Sequence, residues 1–262
     1  MKNLIIFADY GLDDAAATVT LFKHHQKFET ITIVPIGGNV PCSMSYNNCL
    51  TLLSHYKNIQ NKLTVVDAQN IPQPSEYLSE IHGKDGMGDF FERTLPDFHP
   101  NVVSFDQWLT NIPRDSVILS LGPMTLVKKV MEIIPLPLVL MGGCINETPN
   151  FKGYEFNHCL DTDAFSFCTA FPHTAITLDT CRVKALDMRQ REITGDDLHS
   201  AILRADCRLS ISRKEDGCYV WDDIAAAYLV FPERFSVEKA CDLHGNTLYN
   251  AKYISDKLYF ED

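Results

Sequence analysis

Three aspartates, Asp9, Asp13 and Asp14, fall within six positions near the head of the chain, in the stretch FADYGLDDA. Carboxylates this close repel one another unless something positive lies between them, either a cation or the amide end of a helix. Asp13 and Asp14 alone suit a helix N-terminus, where acidic side chains accept from free amides and meet the positive end of the dipole. Asp9 goes beyond that, because a third carboxylate is redundant as a cap and adds repulsion. Further along, Asn39 follows the pair Gly37-Gly38, and Glu155 and Asn157 alternate around Phe156. In an extended segment those two would face the same side. Asp161 or Asp163 reads as the cap of the helical stretch that follows. Asp222 and Asp223 open an Ala-rich helix directly after Trp221, one of only two tryptophans.

These groups need elements to bring them together. Short apolar runs stand at 4–8, 30–36, 63–66, 116–121, 136–141 and 174–180, with helix-length amphipathic stretches at 13–25 and 44–57 between the first of them. Continuous apolar strands separated by helices predict βαβ units, hence one α/β domain over 1–262 with a mostly parallel central sheet covered on both faces. The C-terminal stretch is rich in β-formers around His244-Gly245-Asn246 and reads as a hairpin or two beside that sheet. In open α/β sheets ligands bind beyond the carboxyl ends of the strands. There the chain places Asp9, Asp13 and Asp14 after the first run and Gly37-Gly38-Asn39 after the second. Gly122-Pro123 and Gly142-Gly143 follow two later runs. The loop IHGKDGMGD (81–89) carries three glycines with His82, Asp85 and Asp89. It has neither the P-loop pattern nor a GxGxxG after a strand, and reads as an active-site lid or a plain surface loop rather than a phosphate cradle.

Bulk properties narrow the partner. The net charge of −11 over 262 residues, with no long run of Lys or Arg, argues against nucleic acid. No apolar run approaches the roughly 18 residues of a membrane span. Met1-Lys2-Asn3 leads straight into the first strand, too short and too soon acidic for a signal peptide. Nine cysteines, an odd and scattered set without a CxxC pair, suit reduced thiols in a cytoplasmic protein. A small-molecule substrate is the expectation.

Taken in order, the blocks resemble the inosine–uridine-type nucleoside hydrolases. FADYGLDDA matches that family's opening DxDPGxDDA at Asp9, Gly11, Asp13, Asp14 and Ala15, and the blocks GGN (37–39), HGKDGMG (82–88), LGPMT (121–125), MGG (141–143), EFN (155–157) and WDDIAAA (221–227) follow in the family's order. The resemblance spans roughly residues 4–230 and implies a Rossmann-like nucleoside hydrolase fold. It further implies Ca2+ held by Asp9, Asp14, the Leu121 carbonyl and Asp222, with Asp9 also the general base towards the attacking water. Asp13, Asn39, Met141, Glu155 and Asn157 then contact the ribose, and Asn150, or else Asn146, the 5′-hydroxyl. Such enzymes release free base and ribose and assemble as dimers or tetramers. Two motif positions depart from the family, Phe7 for the first Asp and Tyr10 for the Pro. Trp221 stands where many members carry a proton-donating His and purine-specific members a Trp. That favours purine ribonucleosides, with His82 left as a candidate acid. The competing readings are a hydrolase of another N-riboside (pyrimidine, modified or pyridine nucleoside) and a catalytically silent nucleoside-binding protein on the same scaffold.

Overall fold

The structure is a computed structural model describing residues 3–77, 79–89, 99–190, 192–256 and 258–259. Its strands are β1 (Asn3–Ala8), β2 (Thr30–Pro35), β3 (Leu63–Asp67), β4 (Asn101–Ser104), β5 (Ser116–Ser120), β6 (Leu138–Met141), β7 (His173–Ile176), β8 (Phe235–Cys241) and β9 (Thr247–Tyr253). The helices are α1 (Leu12–Lys23), α2 (Cys42–Leu53), α3 (Ser79–His82), α4 (Phe105–Leu109), α5 (Thr125–Met131), α6 (Phe156–Leu160), α7 (Thr162–Thr169), α8 (Leu178–Cys181), α9 (Leu198–Ser212) and α10 (Trp221–Val230).

The strands form one sheet in the order β4-β3-β2-β1-β5-β6-β7-β9-β8. All pairs are parallel except β8 with β9. The chain lays β2, β3 and β4 in turn to one side of β1 and then restarts at β5 on the other, so the switch point lies between β1 and β5. Phe7 pairs with Val34 on one side and Ser120 on the other, which brings the carboxyl ends of β1, β2 and β5 level. Crossover helices diverge at such a point and leave a crevice above the strand ends.

Successive side chains of β1 enter opposite layers, as strand geometry requires. Leu4 and Ile6 pack with residues of α1, α2, α9 and α10. Ile5 and Phe7 pack on the other face with Trp108, Val127 and Phe165. Every residue of β1, β5 and β6 is buried, which explains their unbroken apolar runs.

Several element boundaries differ from the sequence expectation for identifiable reasons. The helix expected over 44–57 begins at Cys42 and ends as an α-helix with Leu53. It continues as 3-10 turns over Ser54–Lys62, with Tyr56 at φ −120°. The run 174–180 is not all strand. Its chain turns after Ile176, and Thr177 and Thr180 exchange side-chain-to-backbone hydrogen bonds as a capping box that starts α8. The short, mostly exposed edge strand β4 carries little apolar signal and was not anticipated. One C-terminal hairpin is present, joined to the main sheet through β9 beside β7. Asp242 shapes its turn by accepting from the amides of His244 and Asn246 at 2.9 and 2.8 Å. All nine cysteines are free thiols. Among the described residues no helix is long and apolar enough to cross a membrane.

Candidate active site

Above the switch point lies a cavity of about 780 Å³, lined among others by Asp13, Asn39, Leu121, Met141, Asn157 and Asp222. Asp9, fully buried, lies behind the lining residue Asn39, to which it is hydrogen-bonded. One Asp9 oxygen, Oδ2, accepts from the Asn39 amide at 2.6 Å, while Oδ1 lies 3.4 Å from Asn39 Nδ2. Two glycines make this placement feasible. A Cβ on Gly38 would lie 1.9 Å from Asp9 Oδ2, and one on Gly122 would lie 2.9 Å from its Cγ. The glycines after the second and fifth strands therefore serve close approach of backbone to a carboxylate. Burial, followed by the Asp13 charge, pushes the Asp9 carboxyl up to about 7 against the pull of the Asn39 amide.

Asp14 does act as a helix-start acceptor, taking the Asp9 amide at 3.1 Å and the Gly11 amide at 2.7 Å. It also belongs to a tighter group. Carboxylate oxygens of Asp13, Asp14 and Asp222 all lie within 4.8 Å of one another. Burial first, and the neighbouring acids second, hold Asp14 and Asp222 well above the ordinary carboxylate range and raise Asp13 to about 6. Such an arrangement is costly alone and is relieved by a divalent cation, for which all-oxygen donors are well suited. The group differs by one member from the ligand set implied by the family resemblance, since Asp13 is in it and Asp9 lies beside it.

Glu155 and Asn157 do face one centre, but not from an extended segment. Glu155 is the N-cap of α6, and its carboxylate accepts from the amides of Asn157, His158 and Gly143 at 2.9, 2.9 and 3.2 Å. Burial nonetheless raises it to about 7. Asn157, in the first helical turn, donates through Nδ2 to the carbonyls of Leu121 at 3.0 Å and Met141 at 3.2 Å, tying together the ends of β5 and β6. Of the two asparagines considered for the nearby loop, Asn150 lines the cavity while Asn146 does not. The Asn150 side chain accepts from the Phe156 amide at 3.0 Å. Asp161 caps α7, accepting from Ala164 at 2.9 Å, as the sequence suggested.

The opposite wall holds Trp221, half-buried at the first position of α10, with Tyr219 at 5.5 Å between ring centroids. The Arg182 guanidinium lies 5.6 Å from the Trp221 ring centre, and its Nη1 donates to the Thr148 carbonyl at 2.8 Å. Asp223 turns the other way. It is fully buried and its Oδ2 lies 2.7 Å from His199 Nε2 and accepts from the Tyr259 hydroxyl at 2.5 Å. The paired acids of WDD thus have separate tasks, one at the cavity and one binding α10 to α9 and the C-terminal segment.

His82 ends α3 and borders the cavity, so it is not an open-loop residue. Burial and the nearby Arg213 lower its imidazole to about 4, which leaves it neutral at pH 7. The following loop spends its amides on itself. Asp85 accepts from Met87 and Asp89 at 2.7 and 2.9 Å, and Asp89 from Lys84 at 2.9 Å. That agrees with reading it as something other than a phosphate cradle. The two departures from the opening motif are core residues. Phe7 meets Trp108 edge-on at 6.2 Å, and the buried Tyr10 hydroxyl lies 3.3 Å from that of Thr18. Neither lines the cavity.

Sequence reasoning missed Arg182, Asp206, Arg213 and Tyr219, all on the cavity wall. No motif marks them. Asp206 alone left a signal, an acid in the apolar stripe of α9 three and four positions after the buried Leu203 and Ile202.

Comparison with known proteins agrees with the geometry. The family model described as inosine-uridine preferring nucleoside hydrolase matches residues 4–255. The non-specific ribonucleoside hydrolase RihC of Salmonella paratyphi A is 29% identical over 259 residues, covering 90% of this chain and 81% of that protein. Among solved structures, the purine-preferring ribonucleoside hydrolase from Gardnerella vaginalis superposes with a TM-score of 0.71 at 20% identity, covering 97% of this chain and 93% of its own. A plant nucleoside hydrolase gives 0.72 at 19% identity, covering 100% and 90%.

Proposed function

The chain belongs to the inosine-uridine preferring nucleoside hydrolase family, and from that premise we propose that it hydrolyses the N-glycosidic bond of ribonucleosides, purines foremost, with Ca2+ as its metal. The observation that carries the reading is the close group of acids, half-buried Asp13 with buried Asp14 and Asp222, at a cavity that Asp13, Asp222 and Trp221 line. Asp9, Asp14, Asp222 and the Leu121 carbonyl would hold the ion, with Asp13 directly beside them. When bound, a divalent ion neutralises these acids and makes water easier to deprotonate.

The remaining work falls to the chain's own groups. Asp9 accepts the proton of the water that attacks the anomeric carbon, and the Asn39 amide keeps its carboxylate aimed. Asp13, Asn39, Glu155 and Asn157 take the ribose hydroxyls, Met141 packs against the sugar, and Asn150 reaches the 5′-hydroxyl. Glu155 and Asn157 are locked by their own hydrogen bonds, so they enter the reaction already oriented. Positive charge gathers on the ribose as the bond to the base breaks. Trp221 offers an indole face on which a purine stacks.

The test is release of reducing sugar from inosine, guanosine, adenosine, uridine, cytidine and 2′-deoxyinosine, before and after chelation and on return of Ca2+. Release from purine ribonucleosides that chelation abolishes and Ca2+ restores is the expected result. Deoxyinosine should react poorly, because the groups that bind the missing hydroxyl are left unpaired. Fastest release from uridine or cytidine would overturn the purine preference. Saturable binding with no release would favour the silent scaffold.

A further inference from the structure

When the glycosidic bond breaks, its electron pair stays on the base, which leaves far more readily if it receives a proton. Most groups on the cavity's base-side wall are poor donors. Trp221 has no titratable proton, and Arg182 is too basic to give one up. The environment of His82 holds its imidazole neutral at pH 7. Tyr219 is raised further above its usual range by burial.

Asp206 differs from these. It projects from α9 on the side occupied by the buried Ile202, Leu203 and Ser210, and it lines the same cavity as Asp13 and Trp221. Among the described residues its carboxylate is in no ion pair, and its one side-chain hydrogen bond is a long contact from the Cys218 thiol at 3.7 Å. Arg213, the cation that acts on it, is committed elsewhere, donating to Glu215 at 2.8 Å and to the Ile81 carbonyl at 2.9 Å. The oxygens of Asp206 are therefore open towards a ligand. The groups that act on it are Asp13 from α1, Arg213 at the C-cap of α9, Glu215 just beyond, and the Cys218 thiol ahead of α10. Burial and the two acids outweigh Arg213 and the thiol and raise it to about 7.

We propose that Asp206 is a catalytic residue that hydrogen-bonds to the departing base and donates the proton with which the base leaves. The inference rests on the nucleoside hydrolase reading above. In the step, the bond from the anomeric carbon to the base nitrogen breaks and its electron pair passes to the base. The Asp206 carboxyl protonates a base nitrogen and becomes a carboxylate. Water supplies hydroxyl to the anomeric carbon and its proton to Asp9, and Asp9 then gives that proton up to solvent while Asp206 takes one back. The sum is addition of one water.

The experiment compares the wild type with D206N on inosine and on p-nitrophenyl ribofuranoside, whose leaving group departs as a stable anion and needs no acid. For D206N we expect kcat on inosine to fall roughly 10²-fold, the low end of what general acids contribute. Turnover of the p-nitrophenyl riboside should stay within about threefold of wild type, which also certifies the fold. The wild-type loss of inosine turnover as pH rises through about 7 should disappear in the variant. The proposal is overturned if D206N keeps inosine turnover within about threefold, or if both substrates slow equally, which would mark a structural role. Wild-type turnover of the two substrates reports on the underlying reading independently of the variant.

Discussion

The wall of the cavity to which we assign the ribose, made by the ends of β1, β2, β5 and β6 and the start of α6, holds its side chains through backbone. Asp9 rests on the Asn39 amide, Asp14 takes two amides, Glu155 takes three, and Asn157 ties two carbonyls. The wall assigned to the base, made by α8, α9 and the segment leading into α10, is held by long arginine side chains that reach to other side chains and to loop carbonyls. Arg182 spans Trp221 and Glu147, and Arg213 spans Glu215 and the Ile81 carbonyl. Backbone atoms cannot be moved without moving strands, whereas a side-chain lattice can be rebuilt one residue at a time. The contrast suits the proposed assignment, in which one wall would grip an invariant ribose and the other accommodate a base.

That contrast can be broken experimentally. The largest effect is expected from Gly38→Ala, whose Cβ would meet the Asp9 carboxylate at 1.9 Å. Displacing a reacting group by about an ångström costs on the order of 10²-fold, so kcat/KM should drop at least that far on every nucleoside alike. A loss confined to one base would show that the rigid wall also selects bases. Next in size is Trp221→Ala. Stacking contributes about 1–3 kcal/mol per base, so purine kcat/KM should fall about tenfold or more while uridine changes less. Steady-state kinetics on inosine and uridine decides this, and equal losses would remove Trp221 from base selection. Arg182→Ala should matter least. Its pairing with Glu147 is at 3.4 Å and partly exposed, so a shift of about 1 kcal/mol or less is expected, seen as a small rise in KM. A loss as large as that of Gly38→Ala would mean the base-side wall is as rigid as the other.

The same contrast governs what could be read in advance. The ribose-side wall was legible because its geometry restricts residue type. Only glycine admits the approach to Asp9, and only Asp, Glu or Asn can bridge amides and carbonyls where they do, so the requirement is written as local motifs. Trp221 and Asp222, adjacent at a helix start, read by themselves as an ordinary capped helix, and only the family resemblance assigned them to the site. Asp223 looked like a second cap and proved to be an anchor for His199 and Tyr259. Its partners lie 24 and 36 positions away, and nothing local points to them. Glu155 and Asn157 were correctly paired on wrong grounds, since a cap and its first turn can converge as two alternate strand residues do.

From its sequence alone, this chain determined the α/β class, the parallel strands and the cluster of acids after β1, because apolar periodicity and backbone-demanded residue types act over a few neighbouring positions. Tertiary structure decided the base-side wall. Arg182, the helix carrying Asp206 and ending at Arg213, and Tyr219 come from three stretches of chain, and their meeting depends on how α9 and α10 pack against α1, which is a sum of many weak apolar contacts. Such contacts constrain volume and polarity but not the identity of any one residue, so they leave no motif behind.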